Sequence, residues 1–303
     1  MANTGAAAAP APKKKFYFDV KWVIIIAIVL FLLVFEVFPL LYLVYHAFFP
    51  AGSFSLEAFQ RVYTYKLNWN ALRNTMVTAS ASMIFGVIIA FPLAWLIGRT
   101  NLHFKKFFRT LFVMTYMVPP YVGAMAWLRL LNPTVGTLNK FIADILHLSE
   151  MPFNIYSVGG LIWVLTTFYY PYAFITISRA MEKMDPSLEE ASKISGASPL
   201  KTVATITMPM MMPSITICTF LTLTNSFKLY DQNLALTAGR PFLQQGGEVI
   251  KTTEMLALNI VNSFYASARS RGVGQAKAVI FFVLVAFLSI LQLRSTRNKE
   301  VQQ

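Results

Sequence analysis

The chain has 303 residues, of which 56% are hydrophobic and 13% charged, and its mean hydropathy is +0.56. A soluble domain carries about 25% charged residues, so this composition excludes an ordinary water-soluble enzyme and points to one polytopic membrane domain. The net charge of +13 suits anionic lipid at a cytoplasmic face; no aromatic-and-basic reading module accompanies it, which argues against nucleic acid, and the lone Cys218 excludes an intrachain disulfide or a cysteine zinc site.

Residues 1–12, MANTGAAAAPAP, are small and proline-containing, and Lys13–Lys15 follow them. This predicts a disordered basic cytoplasmic tail over 1–15 and a transmembrane domain over 16–303. The first apolar run, about Trp22 to Phe48, is long enough to span and ends without a small-residue cleavage site, so it is expected to be an uncleaved first span. Glu36 lies inside it, and an intramembrane carboxylate is a candidate for the solute path or for pairing with a basic residue of another subunit.

Five further runs follow at about 72–97, 107–130, 157–179, 204–228 and 274–293. They are continuous rather than ten-residue alternations, so they are predicted to be helices. Only a helix satisfies its own backbone in hydrocarbon. The expectation is an all-α polytopic protein of six transmembrane helices.

Orientation follows from Lys and Arg. Arg99, Lys105, Lys106 and Arg109 lie between the second and third runs, and Arg179, Lys183, Lys193 and Lys201 between the fourth and fifth. Arg294, Arg297 and Lys299 lie in the tail. The segment 49–71 has only Arg61 and Lys66, and 131–156 only Lys140. The bias places both termini in the cytoplasm.

The loop at about 183–200 is then cytoplasmic. Asp185 is a good helix cap, Pro186 suits the first turn, and Glu189 and Glu190 favour a helix N-terminus. A helix to about Ser195 is expected, stopped by Gly196 in a left-handed turn. Ser198 and Pro199 repeat the signal, opening a second helix that runs into the fifth span and is bent by Pro209 and Pro213. The plainer reading is a capped surface helix that tidies a loop. A rigid knob has a purpose if another chain docks on it.

Residues 189–213, EEASKISGASPLKTVATITMPMMMP, resemble the EAA loop of the membrane-spanning subunits of ATP-binding-cassette importers. Glu190, Ala191, Gly196, Ala197 and Pro209 fall on that pattern; Ser192 and Ser195 stand where alanine and aspartate are frequent. The resemblance implies the type I importer permease architecture, with Asp185 and Glu189 in a coupling helix that fits a cleft on an ATPase subunit. It implies as partners two ATP-binding subunits, a second and related permease, an extracytoplasmic solute-binding protein and the lipid bilayer. The location implied is the bacterial inner membrane. No Walker A sequence is present, so ATP is expected to be hydrolysed by another chain, with no catalytic residue, cofactor or metal here.

The stretches 225–241, NSFKLYDQNLALTAGRP, and 253–285 resemble sugar-importer permeases, with Phe227, Asp231, Leu236, Thr237, Gly239 and Pro241 on the pattern and Arg240 replacing a glycine. Residues 119–133 are similar to permeases for ferric ion and polyamines, which leaves such a small solute as the alternative cargo. A sugar wants aromatic faces with amide and carboxylate partners. The candidates are Asn225, Lys228, Tyr230, Asp231 and Asn233 near the outer end of the fifth span, Tyr121 and Tyr170 (with Tyr116, Tyr169 and Tyr172) near the third and fourth, and Glu36. The plainer reading of each tyrosine is the interfacial belt. A channel or ion-coupled carrier is the competing class, and it predicts broken helices at matched places in two halves.

Overall fold

The computed structural model describes residues 20–50, 52–245, 247–267 and 270–297. The basic tail expected over 1–15 lies outside them. The chain divides into two compact units, residues 1–46 and 47–303.

The described residues of the first unit belong to one helix, α1 (Val20–Phe48). It is apolar on every side and is interrupted by a wide π turn at Leu33–Val37, where Phe38 N donates to Leu33 O. The cause is two residues further on. Pro39 has no N–H, and its ring collides with the carbonyl four residues back, that of Phe35. One extra residue in the preceding turn removes the collision. Glu36 sits in this turn.

The second unit begins with α2 (Glu57–Thr64) and α3 (Lys66–Arg99). It continues through α4 (Lys105–Met117), α5 (Pro120–Leu131), α6 (Thr137–Ile145) and α7 (Val158–Lys183). Then come α8 (Ser187–Ile194), α9 (Pro199–Phe227) and α10 (Asp231–Leu236). An antiparallel hairpin of β1 (Phe242–Gln245) and β2 (Glu248–Lys251) pairs Phe242 with Lys251, and α11 (Leu256–Ala266) and α12 (Arg271–Arg297) close the order. Among the described residues five helices, α1, α3, α7, α9 and α12, are long and apolar enough to cross a membrane, and the pair α4–α5 makes a sixth if counted as one.

The run expected as one straight span at 107–130 is bent by 97°. The reason is Pro119–Pro120. A residue before proline is pushed out of the helical region, and both Val118 (ψ 128°) and Pro119 (ψ 131°) are extended. Pro120 then opens α5 at a position where a missing N–H costs nothing.

The centre of the unit is α3 against α7. One stripe of α3 is made of small buried residues, Ala71, Thr75, Ala79, Ser82, Gly86, Ala90 and Ala94. Their spacing of three or four keeps them on one face, and small side chains let two backbones approach without a hydrophobic drive from lipid. At Gly86 the backbone of Tyr170 passes 3.7 Å from where a Cβ would stand. Around this seam, Ile97, Phe174, Ile177, Met181 and Met211 form one core cluster. Leu131, Ile155, Leu161, Val164, Phe168 and Met255 form a second.

Candidate functional site

Two places carry candidate chemistry, and α3, α7 and α9 connect them. The first is the segment between α7 and α9. Ser187 N donates to Asp185 Oδ1 (2.9 Å), so Asp185 closes the start of α8 from just outside it. That amide, and then the Ser187 hydroxyl, hold the exposed Asp185 carboxyl below the ordinary aspartate range. At the far end Gly196 N donates to Lys193 O (3.0 Å) and Ala197 N to Ser192 O (3.1 Å). This closure needs the left-handed Gly196, at φ +77°. Ser198 Oγ accepts from Lys201 N (3.3 Å), with Pro199 opening α9. The hydroxyls of Ser192 and Thr202 lie 2.9 Å apart and tie the two helices together.

The two glutamates differ completely. One residue along a helix is a rotation of about 100°. Glu190 faces solvent with Ala191, whereas Glu189 is 7% exposed. Its Oε1 accepts from Thr207 Oγ1 (2.7 Å), and its Oε2 lies 3.3 Å from Arg99 Nε. Arg99, the last residue of α3, also donates from Nη2 to Met184 O (3.1 Å). Glu189 therefore braces α8 against two long helices at once. Thr207 lies in a second π turn, Val203–Thr207, where Met208 N donates to Val203 O. Pro209 follows two residues on, the same arrangement as Pro39 in α1. On the open side of the segment Ile194 and Leu200 are 87% and 83% exposed.

The second place is a pocket of about 220 Å3 where α4, α5, α7, α9 and α10 converge. Tyr116, Phe168, Tyr169, Tyr172, Asn225 and Gln232 are among its lining residues. Gln232 is 2% exposed, and its Oε1 has no hydrogen-bond partner among the described residues. A buried amide oxygen left unpaired costs about 1–3 kcal/mol.

Of the candidates for a solute path, Asn225, Tyr116, Tyr169 and Tyr172 line this pocket and the other seven do not. Tyr121 is 51% exposed outside it. The Tyr170 hydroxyl accepts from Thr115 Oγ1 (3.4 Å) in the seam between α4 and α7. Lys228 and Asp231 are exposed, and Tyr230 is half-buried. Asn233 is wholly buried and structural. Its Nδ2 donates to Thr253 O (2.9 Å) and Thr237 Oγ1 (3.1 Å), and Met255 N donates to its Oδ1 (2.9 Å). Glu36 belongs to the first unit, in its π turn. Sequence reasoning missed Gln232 and Phe168. Gln232 stands beside Asp231 in the same motif stretch, but nothing local marks it as the inward-facing one.

The model of the family described as "Binding-protein-dependent transport system inner membrane component" matches residues 86–299. A probable starch degradation products transport system permease protein of Thermoanaerobacterium thermosulfurigenes is 32% identical over 238 residues, 77% of each chain. A galactooligosaccharides transport system permease protein of Bacillus subtilis is 24% identical over 254 residues, 82% of this chain and 58% of its own length. Among solved structures, a chain of a bacterial alginate ABC transporter, in complex with an alginate pentasaccharide-bound periplasmic protein, superposes with a TM-score of 0.78. It shares 18% identity, with 94% of this chain and 96% of that one covered, so the likeness concerns the fold.

Proposed function

Because the chain belongs to the family of binding-protein-dependent transport system inner membrane components, we propose that it is a permease subunit of an ATP-driven carbohydrate importer. It lines the path of the sugar and couples its movement to ATP hydrolysis on separate subunits. Hydrocarbon excludes a polyhydroxylated solute at roughly 2–7 kcal/mol for each polar group left unpaired. The pocket at Asn225 and Gln232 offers amide partners and aromatic faces in that solute's place. Among the described residues its lining carries no carboxylate to pair with the charges of a polyamine. The starch-product and galactooligosaccharide relatives support the same choice of cargo.

One observation carries the coupling role. A short helix stiffened at both ends is pinned through Glu189 to α3 and α9, while its free side presents Ile194 and Leu200. Motion passes from one chain to another only through an element too rigid to absorb it. An ATPase subunit seated on that apolar side and closing around ATP would push α8. The push reaches α9, which lines the pocket, through Thr207. The subunit works beside a second permease, with a solute-binding protein delivering sugar at the far face and both termini on the ATPase side.

The test is uptake of labelled oligosaccharide into vesicles holding the chain, its partner permease and the ATPase, with binding protein outside. Gly196→Pro or Glu190→Lys should abolish ATP-dependent uptake while the chain still inserts. Uptake by the chain alone, with no ATPase present, overturns the reading.

A further inference from the structure

At the end of the bundle opposite the braced segment lies a second cavity, of about 920 Å3, between α2, the start of α3, β2, α11 and α12. It shares no lining residue with the tyrosine pocket. Its wall holds a polar cluster that a helix bundle in lipid has no structural need to build. Glu254, 4% exposed, accepts from Lys251 Nζ (2.9 Å) and Asn262 Nδ2 (2.5 Å) at Oε1 and from Asn259 Nδ2 (2.9 Å) at Oε2. Lys277, 6% exposed, donates to Asn259 Oδ1 (2.8 Å) and Ser263 Oγ (2.6 Å).

Charges do not balance here. Among the described residues Glu254 is the only carboxylate in the cluster; it pairs with Lys251 and also attracts Lys277, so two ammonium groups share one carboxylate, and the oxygens that Lys277 itself bonds are neutral. At the mouth Glu57 and Arg61 pair with each other (2.6 Å) and add no net charge. An ammonium carries three N–H groups, and two are used. Across the cavity Asn68, 6% exposed, donates Nδ2 to Val62 O (2.9 Å) but leaves Oδ1 without a partner. The wall thus has a buried cation short of an acceptor and a buried acceptor short of a donor. Both conditions are costly in an empty site. Lys277 lies 277 − 271 = 6 residues into α12, a helix long and apolar enough to cross a membrane.

We propose that this cavity binds a phosphate oxyanion that carries a neighbouring donor, as a phospholipid headgroup does. The phosphate oxygen takes the third N–H of Lys277, and a headgroup hydroxyl or ammonium donates to Asn68 Oδ1. The inference does not depend on which solute the chain transports.

The experiment uses the full chain purified in an uncharged detergent and three probes: dioctanoyl phosphatidylglycerol, dioctanoylglycerol (which lacks the phosphate) and inorganic phosphate. Saturable binding is read from 31P line broadening for the two phosphate probes and from the rise in thermal midpoint for all three. The phosphatidylglycerol should bind, dioctanoylglycerol should not, and Lys277→Met should weaken binding about tenfold or more, the loss expected for one charge-assisted hydrogen bond. Asn68→Leu keeps the side-chain volume approximately and removes the acceptor that the headgroup donor would meet. It should weaken binding as well, and it carries the test alone if Lys277→Met does not fold. Binding of inorganic phosphate with the same dependence on Lys277 identifies the free anion as the source. If neither phosphate probe binds saturably, or if both variants bind like wild type, the proposal is wrong.

Discussion

Replacing Glu189 with alanine tests the brace. The substitution removes the ion pair to Arg99 and the bond from Thr207 together. Breaking a buried pair by deleting one partner costs about 3–5 kcal/mol. Two features lower the figure here. The Arg99 and Glu189 side chains are 13% and 9% exposed, so water screens the pair in part, and Arg99 keeps its bond to Met184 O. A cost of about 2.7 kcal/mol is expected, which is a factor of about 100 in a local equilibrium. The loss is confined to the segment, because the core around Phe174 and Ile177 is untouched. Hydrogen exchange on the reconstituted chain should therefore show the amides of 187–198 about 100-fold less protected, with α3 and α7 unchanged. ATP hydrolysis should continue while sugar carried per ATP falls. Glu189→Gln keeps an acceptor for Thr207 and should lose about 1 kcal/mol. If Glu189→Ala leaves both exchange and the transport ratio at wild-type values, α8 is held by something else and the brace is incidental.

Three smaller tests follow from the same geometry. Gly86→Ala places a Cβ at ordinary contact distance, 3.7 Å from Tyr170 N, and should shift the thermal midpoint in detergent only slightly. Gly86→Leu must part α3 from α7 at roughly 1–3 kcal/mol, and equal midpoints for the two variants would refute the seam. Gln232→Leu removes the unpartnered amide oxygen and should raise the sugar concentration for half-maximal uptake about tenfold, with protein level unaltered; an unchanged value removes Gln232 from the path. For Asp185 the folded carboxyl titrates below its unfolded value. Its contribution is therefore complete above the ordinary aspartate pKa of about 3.9 and fades as pH falls below it. Exchange in α8, corrected for intrinsic rate, should be flat from pH 8 to 5 and quicken only in more acid solution, and Asp185→Asn should abolish that quickening.

What could be read from the sequence is what neighbours in the chain decide. Asp185, Gly196 and Ser198 act on backbone groups two or three residues away, so their cap-turn-cap order is legible in fourteen letters. The Pro119–Pro120 break is equally local, although a run of hydropathy hides it. The small stripe from Ala71 to Ala94 was there to be read at intervals of three and four, yet mean hydropathy dilutes it. Other features need the fold. Whether Glu189 or Glu190 turns inward is set by Arg99, ninety residues earlier. Asn68 and Lys277 share one cavity across 277 − 68 = 209 residues, and the hairpin and α11 bring Glu254 between them. Asn233, polar and beside a span, reads as a solute ligand until its three bonds to the following loop are seen.

Pro209 connects the two levels. The π turn Val203–Thr207 exists because this proline forbids an ordinary turn before it. With Pro209→Ala the obstacle disappears, and the turn can tighten to a regular helix that adds one hydrogen bond per residue fixed. Removing the extra residue rotates everything N-terminal to it by about 100° and shifts it by about 1.5 Å relative to the rest of α9. Thr207 then leaves Glu189, and α8 loses its hold on α9 while keeping its hold on α3 through Arg99. The variant should be at least as thermally stable as wild type, because alanine is about 3 kcal/mol better than proline in a helix interior, and yet defective in coupled uptake. Stability and function thus move in opposite directions, which general damage to the fold cannot produce. A Pro209→Ala chain that transports normally would mean that the wide turn is only a repair for the proline and carries no part of the coupling.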